Sequence, residues 1–305
     1  MIAVVGNIAL DILVGLLELP KSNYVKVEGE ELIISGGGSA ANVAYWLGRF
    51  GEKVVLLGCV GKDKFGEYIL EDLKNVGVDT SKVIKVNSPS NIALILTGRG
   101  FKVMIRVRKA SKLCELDVQC IKDADYIHFG SNTLHILKRY KNNLKGKKVS
   151  YDPGPDKPKI DDISDLWIFS PNEQEAKNIF GKDLTKSIKD CPIEILAIKM
   201  LDGSVLYCYE GKIRTVKPLK VPVVDTTGSG DAFDAALIFG LKNGLDVYDA
   251  ITFAKGIASL NSMVLGTRNY NFSLEKLINV LKDNNVLSKE LEAFIWERLM
   301  KDISK

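Results

Sequence analysis

Three short stretches of the 305-residue chain carry residue types that can do chemistry. The first is Asp225-Thr226-Thr227-Gly228-Ser229-Gly230-Asp231-Ala232-Phe233. A strand-like Val221-Pro222-Val223-Val224 leads in, and an apolar helix carrying Ala235, Ala236, Leu237, Ile238 and Leu241 leads out. Glycines at a strand-to-helix turn leave backbone N–H groups facing open space, where the helix dipole favours an anion. Asp231 falls at the helix start, where a carboxylate either caps the helix or serves as a base. No lysine follows the glycines, so this is not a Walker A loop. The second stretch, Ser35-Gly36-Gly37-Gly38-Ser39-Ala40-Ala41-Asn42, opens a helix. Its glycines either form a flexible turn or let another group approach the backbone closely, with Asn42 one turn into the helix. Ala41 replaces the third glycine of a dinucleotide fingerprint, which weakens a dehydrogenase reading. The third is Ser170-Pro171-Asn172-Glu173-Gln174-Glu175. Asn172 and Glu175 either reach a hydrated Mg²⁺ at the carboxyl edge of a sheet or form a capping box.

The elements that must position these residues alternate. Ile2–Val5, Val54–Leu57, Tyr126–Phe129, Lys148–Tyr151, Leu166–Phe169 and Ile195–Ile198 read as strands. Helical spacing runs from Ala40 to Phe50 and from Phe65 to Asn75, the latter ending before Gly77 as a C-terminal cap. Near-continuous apolar strands separated by helices predict a mostly parallel sheet covered on both faces, hence an α/β fold. Two stretches interrupt this rhythm: Glu30 to Ser35, and Asn91 to Arg108 around Gly98-Arg99-Gly100. They are either a small antiparallel flap or an edge hairpin of the same sheet. From Asp231 onward the chain is mainly helical, and no repeat or low-complexity linker divides it.

Composition excludes several classes of function. With 42 Lys+Arg against 38 Asp+Glu the charges are mixed, so nucleic-acid binding gains no support. The five cysteines are scattered without a C-x-x-C spacing, which argues against disulfide scaffolds and zinc ribbons and for a reducing, cytoplasmic setting. His128 and His135 are the only histidines, too few for a typical His-ligated metal centre. The apolar N-terminus is interrupted by Asp11 and reads as a buried strand rather than a signal peptide, and no apolar run is long enough to span a membrane.

Taken together, the three stretches resemble the PfkB/ribokinase family of sugar and nucleoside kinases, from Gly6 to about Arg268. The nonapeptide ending at Phe233 looks like the family's second signature. Gly37-Gly38-Ser39-Ala40-Ala41-Asn42, Gly58-Cys59-Val60-Gly61-Lys62-Asp63-Lys64-Phe65-Gly66 and Gly77-Val78-Asp79-Thr80 match it as well. The resemblance implies a ribokinase-like α/β fold, with a mostly parallel central sheet, helices on both faces and a small β-sheet lid. It implies one kinase domain over 1–305, with lid excursions near 12–35 and 87–109 that exclude water from the reaction. It further implies that Asp231 is the general base, and that the amides of Gly228, Ser229 and Gly230, with that of Asp231, form an anion hole for the γ-phosphoryl group of ATP. Asp11, Gly37, Gly38 and Asn42 match acceptor-binding positions. Asn172 and Glu175 match an element that organises Mg²⁺, and Lys199 stands as a phosphate or ribose neighbour. Asp225 and Thr227 match positions that, in some members, hold a monovalent cation such as K⁺. Pairing of lids in several relatives implies a homodimer. The activity implied is ATP-dependent phosphorylation of a hydroxymethyl group on a sugar or sugar derivative. Alternatives are a nucleoside kinase, a catalytically silent sugar- or nucleotide-binding regulator, and a nucleotide-dependent oxidoreductase.

The chain departs from the family pattern in places. The nucleotide loop is shortened to Lys199-Met200-Leu201-Asp202-Gly203-Ser204, Ala235 replaces a glycine, and a small-residue turn becomes Thr267-Arg268-Asn269-Tyr270-Asn271-Phe272. A C-terminal helix with Leu291, Phe294, Ile295, Trp296 and Leu299 is expected to pack on the body. Arg99, Lys102, Arg106, Arg108, Lys109 and Lys112 crowd the second excursion. Strand alternation places Arg106 and Arg108 on one face, either to bind an anionic acceptor or to protect a solvated edge strand. His128 and Asn132 lie near a position that touches the acceptor in the family, and His128 also reads as a core histidine.

Overall fold

The computed structural model describes residues 1–19, 26–98, 100–116, 122–268 and 273–303, with side chains to 298. Arg99, the 269–272 part of the departing turn and the Leu299 side chain lie outside the described residues. In chain order the first half comprises β1 (Ile2–Val5), β2 (Ala9–Gly15), β3 (Glu31–Gly37), α1 (Ser39–Arg49), β4 (Val54–Leu57), β5 (Cys59–Gly61), α2 (Lys64–Asn75), β6 (Ile84–Val86), β7 (Ile92–Gly98), β8 (Phe101–Val107) and β9 (Tyr126–Phe129). The second half continues with α3 (Leu134–Tyr140), β10 (Lys148–Tyr151), α4 (Ile160–Ile163), β11 (Ile168–Phe169), α5 (Glu173–Phe180), α6 (Leu184–Ser187), β12 (Ile195–Lys199), β13 (Val205–Tyr209) and β14 (Lys212–Val216). Four helices close the chain: α7 (Ser229–Lys242), α8 (Val247–Ser262), α9 (Leu274–Asp283) and α10 (Lys289–Ile303).

An eight-stranded sheet in the order β14-β13-β12-β11-β10-β9-β1-β4 forms the centre. It is parallel from β4 to β12, and β13 and β14 add an antiparallel edge. Strand alternation explains why both faces need cover. Ile2, Val4, Val54 and Leu56 join one core with α1, α7 and α8, whereas Ala3, Val5, Val55 and Leu57 join the other with α3, α5 and α6. This is the expected α/β architecture.

The two interruptions supply β3, β7 and β8, which join β2 in a separate four-stranded sheet, β3-β2-β7-β8; they are thus not an edge hairpin of the main sheet. The small sheet is mixed rather than antiparallel, because β2 and β7 pair in parallel. β8 is one of its edges. Helix α2 begins with the Asp63 carboxylate accepting from Gly66 N at 2.8 Å. It ends with Val78 N donating to Leu73 O beside the positive-φ Gly77 (φ 80°). The C-terminal helix packs on the body as expected: Leu291, Phe294 and Ile295 are buried, and the Phe294 ring lies 5.7 Å from that of Phe239.

Residues 221–224 are not a strand. Pro222 offers no N–H to a ladder, and the Val224 and Asp225 amides donate instead to Ser262 O at the end of α8. Among the described residues, no helix is long and apolar enough to cross a membrane.

Candidate active site

The small sheet overhangs the carboxyl edge of the main sheet, and between them lies a cleft of about 230 Å³. Asp11, Gly38, Asn42, Arg106, Arg108, Thr227, Gly228 and Asp231 all line it, although they come from distant parts of the chain. Its floor is the start of α7. Gly228 is the N-cap, in the left-handed region at φ 73°, and an added Cβ would press within 3.1 Å of Thr267. No side chain caps this helix, so Asp231 is not an N-cap. The first-turn amides of Gly230 and Asp231 have no acceptor within the helix. The Ser229 amide instead closes a turn onto Thr226 O at 3.2 Å. The bend is not plugged: a Cβ built on Gly230 would meet nothing nearer than Lys199 Nζ at 3.6 Å.

The Asp231 carboxylate accepts a hydrogen bond from Asn42 Nδ2 at 2.7 Å. Burial pushes its pKa up to about 7; the Asn42 hydrogen bond opposes this, and the nearby Asp152 charge adds to it. Asp11 is also raised, to about 6, chiefly by burial and against the opposing charge of Arg268. Gly37 is required beside it, because a Cβ there would lie 2.2 Å from the Asp11 carboxyl carbon. Above the floor, Lys102, Met104 and Arg106 share the inner face of β8 and Arg108 follows just past its end; Met104 and both arginines line the cleft. Arg108 donates to Asn132 Oδ1 at 3.0 Å, and neither arginine has a carboxylate partner within salt-bridge distance among the described residues. Burial and then the neighbouring Arg106 charge lower the Arg108 pKa, while the charge of Asp156 opposes them.

Behind the floor, Lys199 Nζ donates to Asp152 Oδ2 at 2.8 Å and to both Asp234 oxygens at 3.3 Å. Burial works against this charge, but the two carboxylates outweigh it and raise the lysine pKa above its ordinary range. Asn172 and Glu175 form a capping box at α5: Glu175 N donates to Asn172 Oδ1 at 2.9 Å, and Asn172 N to Glu175 Oε2 at 2.8 Å. They sit in an adjoining hollow that shares Arg106 with the cleft. Burial, and then Asp152, raise Glu175 to about 7. Asp225 lies beneath the bend rather than in the cleft, its side chain only 2% exposed. His128 is a core histidine: it is buried, pairs with Ser150 Oγ at 3.0 Å, and burial lowers its pKa to about 4.

The description "pfkB family carbohydrate kinase" matches residues 1–273. The chain belongs to the PfkB family. It is therefore a phosphotransferase with an alcohol group as acceptor. It is 32% identical over 224 residues to an uncharacterised sugar kinase of Archaeoglobus fulgidus, covering 66% of this chain and 88% of that one. A ribokinase of Lactococcus lactis is 28% identical over 285 residues, covering 88% and 92%. The structure of Arabidopsis thaliana ribokinase complexed with ribose and ATP superposes with a TM-score of 0.77 at 23% identity, covering 92% of this chain and 98% of that one.

Several residues of this PfkB kinase that shape the cleft were not singled out as site residues by the sequence. Arg268, in the departing turn, is buried; its Nε donates to Asn42 Oδ1 at 3.0 Å, its Nη1 reaches Asp72 at 2.6 Å, and its guanidinium stacks 5.0 Å from the Tyr45 ring centroid. A chain Asp72–Arg268–Asn42–Asp231 thus fixes the carboxylate on the floor. Gly36 makes room for Arg268, whose Nη1 would lie 2.1 Å from an added Cβ. Asn91 donates to Asn7 Oδ1 and Ile8 O, at 3.1 and 2.8 Å, and the Asp63 carboxylate holds the adjacent Ser90. Asn261 braces the bend by donating to Thr227 O at 3.0 Å. The segment Lys199–Ser204, shortened against the family pattern, is a tight turn in which Met200 N donates to Ser204 O at 2.9 Å. Cysteine spacing gave no pairing, yet Cys59 and Cys114 are disulfide-bonded across 55 residues; both line a small hollow beside the cleft.

Proposed function

We propose that this enzyme transfers the γ-phosphoryl group of ATP to a hydroxymethyl group of an anionic sugar derivative, with the small sheet as a lid on one kinase domain. The observation that carries the reading is the meeting of an unobstructed glycine bend and the Asp231 carboxylate on one cleft floor. Asp231, raised to about 7, is poised to accept a proton from the acceptor hydroxyl near neutral pH. Phosphoryl transfer needs stabilisation of charge spread over three oxygens. We assign this to the amides of Gly228, Gly230 and Asp231, with Ser229 contributing less because its N–H closes a turn onto Thr226 O. Asp11, Gly37, Gly38 and Asn42 bound the acceptor side and orient its hydroxyls.

Lys199 sits under the bend, where its ammonium offsets triphosphate charge. Glu175 and Asp152, hard oxygen donors close enough to raise the Glu175 pKa, fit a mostly hydrated Mg²⁺ that Asn172 orders through Glu175. When bound, Mg²⁺ neutralises β- and γ-phosphate charge. Arg106 and Arg108 bring two positive charges into the cleft mouth, and among the described residues no carboxylate lies within salt-bridge distance of either, which suits a carboxylate or phosphate on the acceptor.

The test is ADP release over a panel of neutral sugars, sugar acids, sugar phosphates and nucleosides, repeated with Arg106→Ala and Arg108→Ala. Anionic sugars should turn over fastest, and each variant should raise their KM at least tenfold. Equal effects on neutral sugars would discard the anionic acceptor. Preference for nucleosides would move the chain to nucleoside phosphorylation, and ATP binding without turnover on any acceptor would make it a silent regulator.

A further inference from the structure

Lys102 belongs to the inner face of β8; its side chain is 34% exposed, and its ammonium is turned to Asp225 and Thr227. Nζ lies 2.7 Å from Asp225 Oδ1 and also donates to Thr227 Oγ1. Asp225 is closed around this contact: its Oδ1 accepts from Thr227 N at 3.0 Å and Thr227 Oγ1 at 2.6 Å, and its Oδ2 from Gly266 N at 3.1 Å. The two residues that the sequence resemblance matches to a monovalent-cation site, Asp225 and Thr227, therefore each turn a side-chain oxygen to a cation of the chain itself. A further K⁺ at the same oxygens would meet the ammonium at close range, and like charges there repel. The residues present do not fit a free ion.

We infer that the Lys102 ammonium replaces a monovalent cation at the Asp225–Thr227 turn, so that closure of the small sheet delivers the charge that orders the glycine bend. The physical logic is short. Asp225 holds the Thr227 amide immediately before Gly228, so the carboxylate sets the entry to the bend. Buried without a counter-charge, that carboxylate would be costly; with Lys102 it stays ionised and the turn stays fixed. Because Lys102 is carried by β8, opening the small sheet withdraws the charge. Lys102 is a positioning residue, since it touches the bend's support and no reacting atom.

The experiment compares wild type, Lys102→Met and Lys102→Arg in KCl and in tetramethylammonium chloride at equal ionic strength. It reads thermal unfolding midpoints and, separately, ADP release. Wild type should show no K⁺-specific rise in midpoint and rates within twofold in the two salts. Lys102→Met should lose at least tenfold in kcat in tetramethylammonium chloride, then regain both rate and midpoint in KCl, while Lys102→Arg stays K⁺-insensitive. A K⁺-specific midpoint rise in wild type, or a Lys102→Met protein blind to K⁺, would overturn the inference. The activity arm rests on the kinase reading. The midpoint arm does not, so failure to find an acceptor leaves the cation question decided.

Discussion

Replacing Asp231 by Asn keeps the shape of the cleft floor and removes one ionisable oxygen. The amide oxygen of the new residue still accepts from Asn42 Nδ2, now 2.7 Å from the carboxylate, and the bend amides are unchanged. ATP affinity should therefore change less than twofold. A positioned general base contributes about 10²–10⁴ in rate, so kcat should fall by that factor, a loss of about 3–5 kcal/mol of transition-state stabilisation. Wild-type kcat/KM should rise with pH up to about 7, where Asp231 ionises, and the residual activity of Asp231→Asn should lack that limb.

Stability gives an independent reading. The fold raises this carboxyl from 3.8 to about 7, so the native state favours the neutral form. That preference is fully present below about pH 4 and is lost as pH rises to about 7, where the native carboxylate must ionise in the site. At about 1.4 kcal/mol per pH unit the loss is at most about 4 kcal/mol, reduced by the water that reaches the group through the cleft. Asp231→Asn should thus melt higher than wild type at pH 8, and the gap should close by pH 4. Stopped assays and calorimetry across pH 4–8.5 measure both effects. A variant keeping more than a tenth of wild-type kcat, or melting lower than wild type at pH 8, would refute the assignment.

Two more outcomes are expected. Arg268→Met strands Asp72 and frees Asn42, so stability should drop by about 3 kcal/mol in denaturant titration, and the lower limb of the pH–rate profile, set by Asp231, should move upward as Asn42 is no longer held to that carboxylate. Restoration of both readouts by Arg268→Lys would contradict the forked geometry. The outer face of the small sheet exposes Leu32, Ile34, Val103, Ile105 and Val107, an apolar surface that we read as the seat of a second copy. Light scattering should find a dimer for wild type and a monomer for Ile105→Asp; a wild-type monomer at micromolar concentration would remove this interface.

What the sequence made legible was whatever depends on local periodicity and on spacing within one segment. The strands β1, β4, β9, β10 and β12, the Gly77 cap and the alternation of Arg106 with Arg108 follow from such patterns. Whether the interruptions formed a separate sheet was undecidable, because strand pairing is a long-range choice; β2 pairs with β7 across about 80 residues. Val221–Val224 misled because β-branched residues suggest a ladder, whereas Pro222 and the end of α8 decide the hydrogen bonds. Arg268 and Asn261 gave no warning, since each acts through a partner remote in the chain: Asn42 for the first, Thr227 for the second. The Cys59–Cys114 bond was hidden for the same reason.

The period of two along β8 has an architectural consequence. One strand supplies cations to the chamber beneath it and aliphatic groups to the surface above it, so the chemistry of the acceptor and the stickiness of the outside are written into the same seven residues, Phe101–Val107. Inserting a single amino acid before Lys102 would exchange the two sets at once: isoleucine and valine would dip into the chamber, while lysine and arginine would surface. On our readings of the acceptor and of a second copy, recognition and assembly are thus tied to one another by nothing more than the parity of a strand.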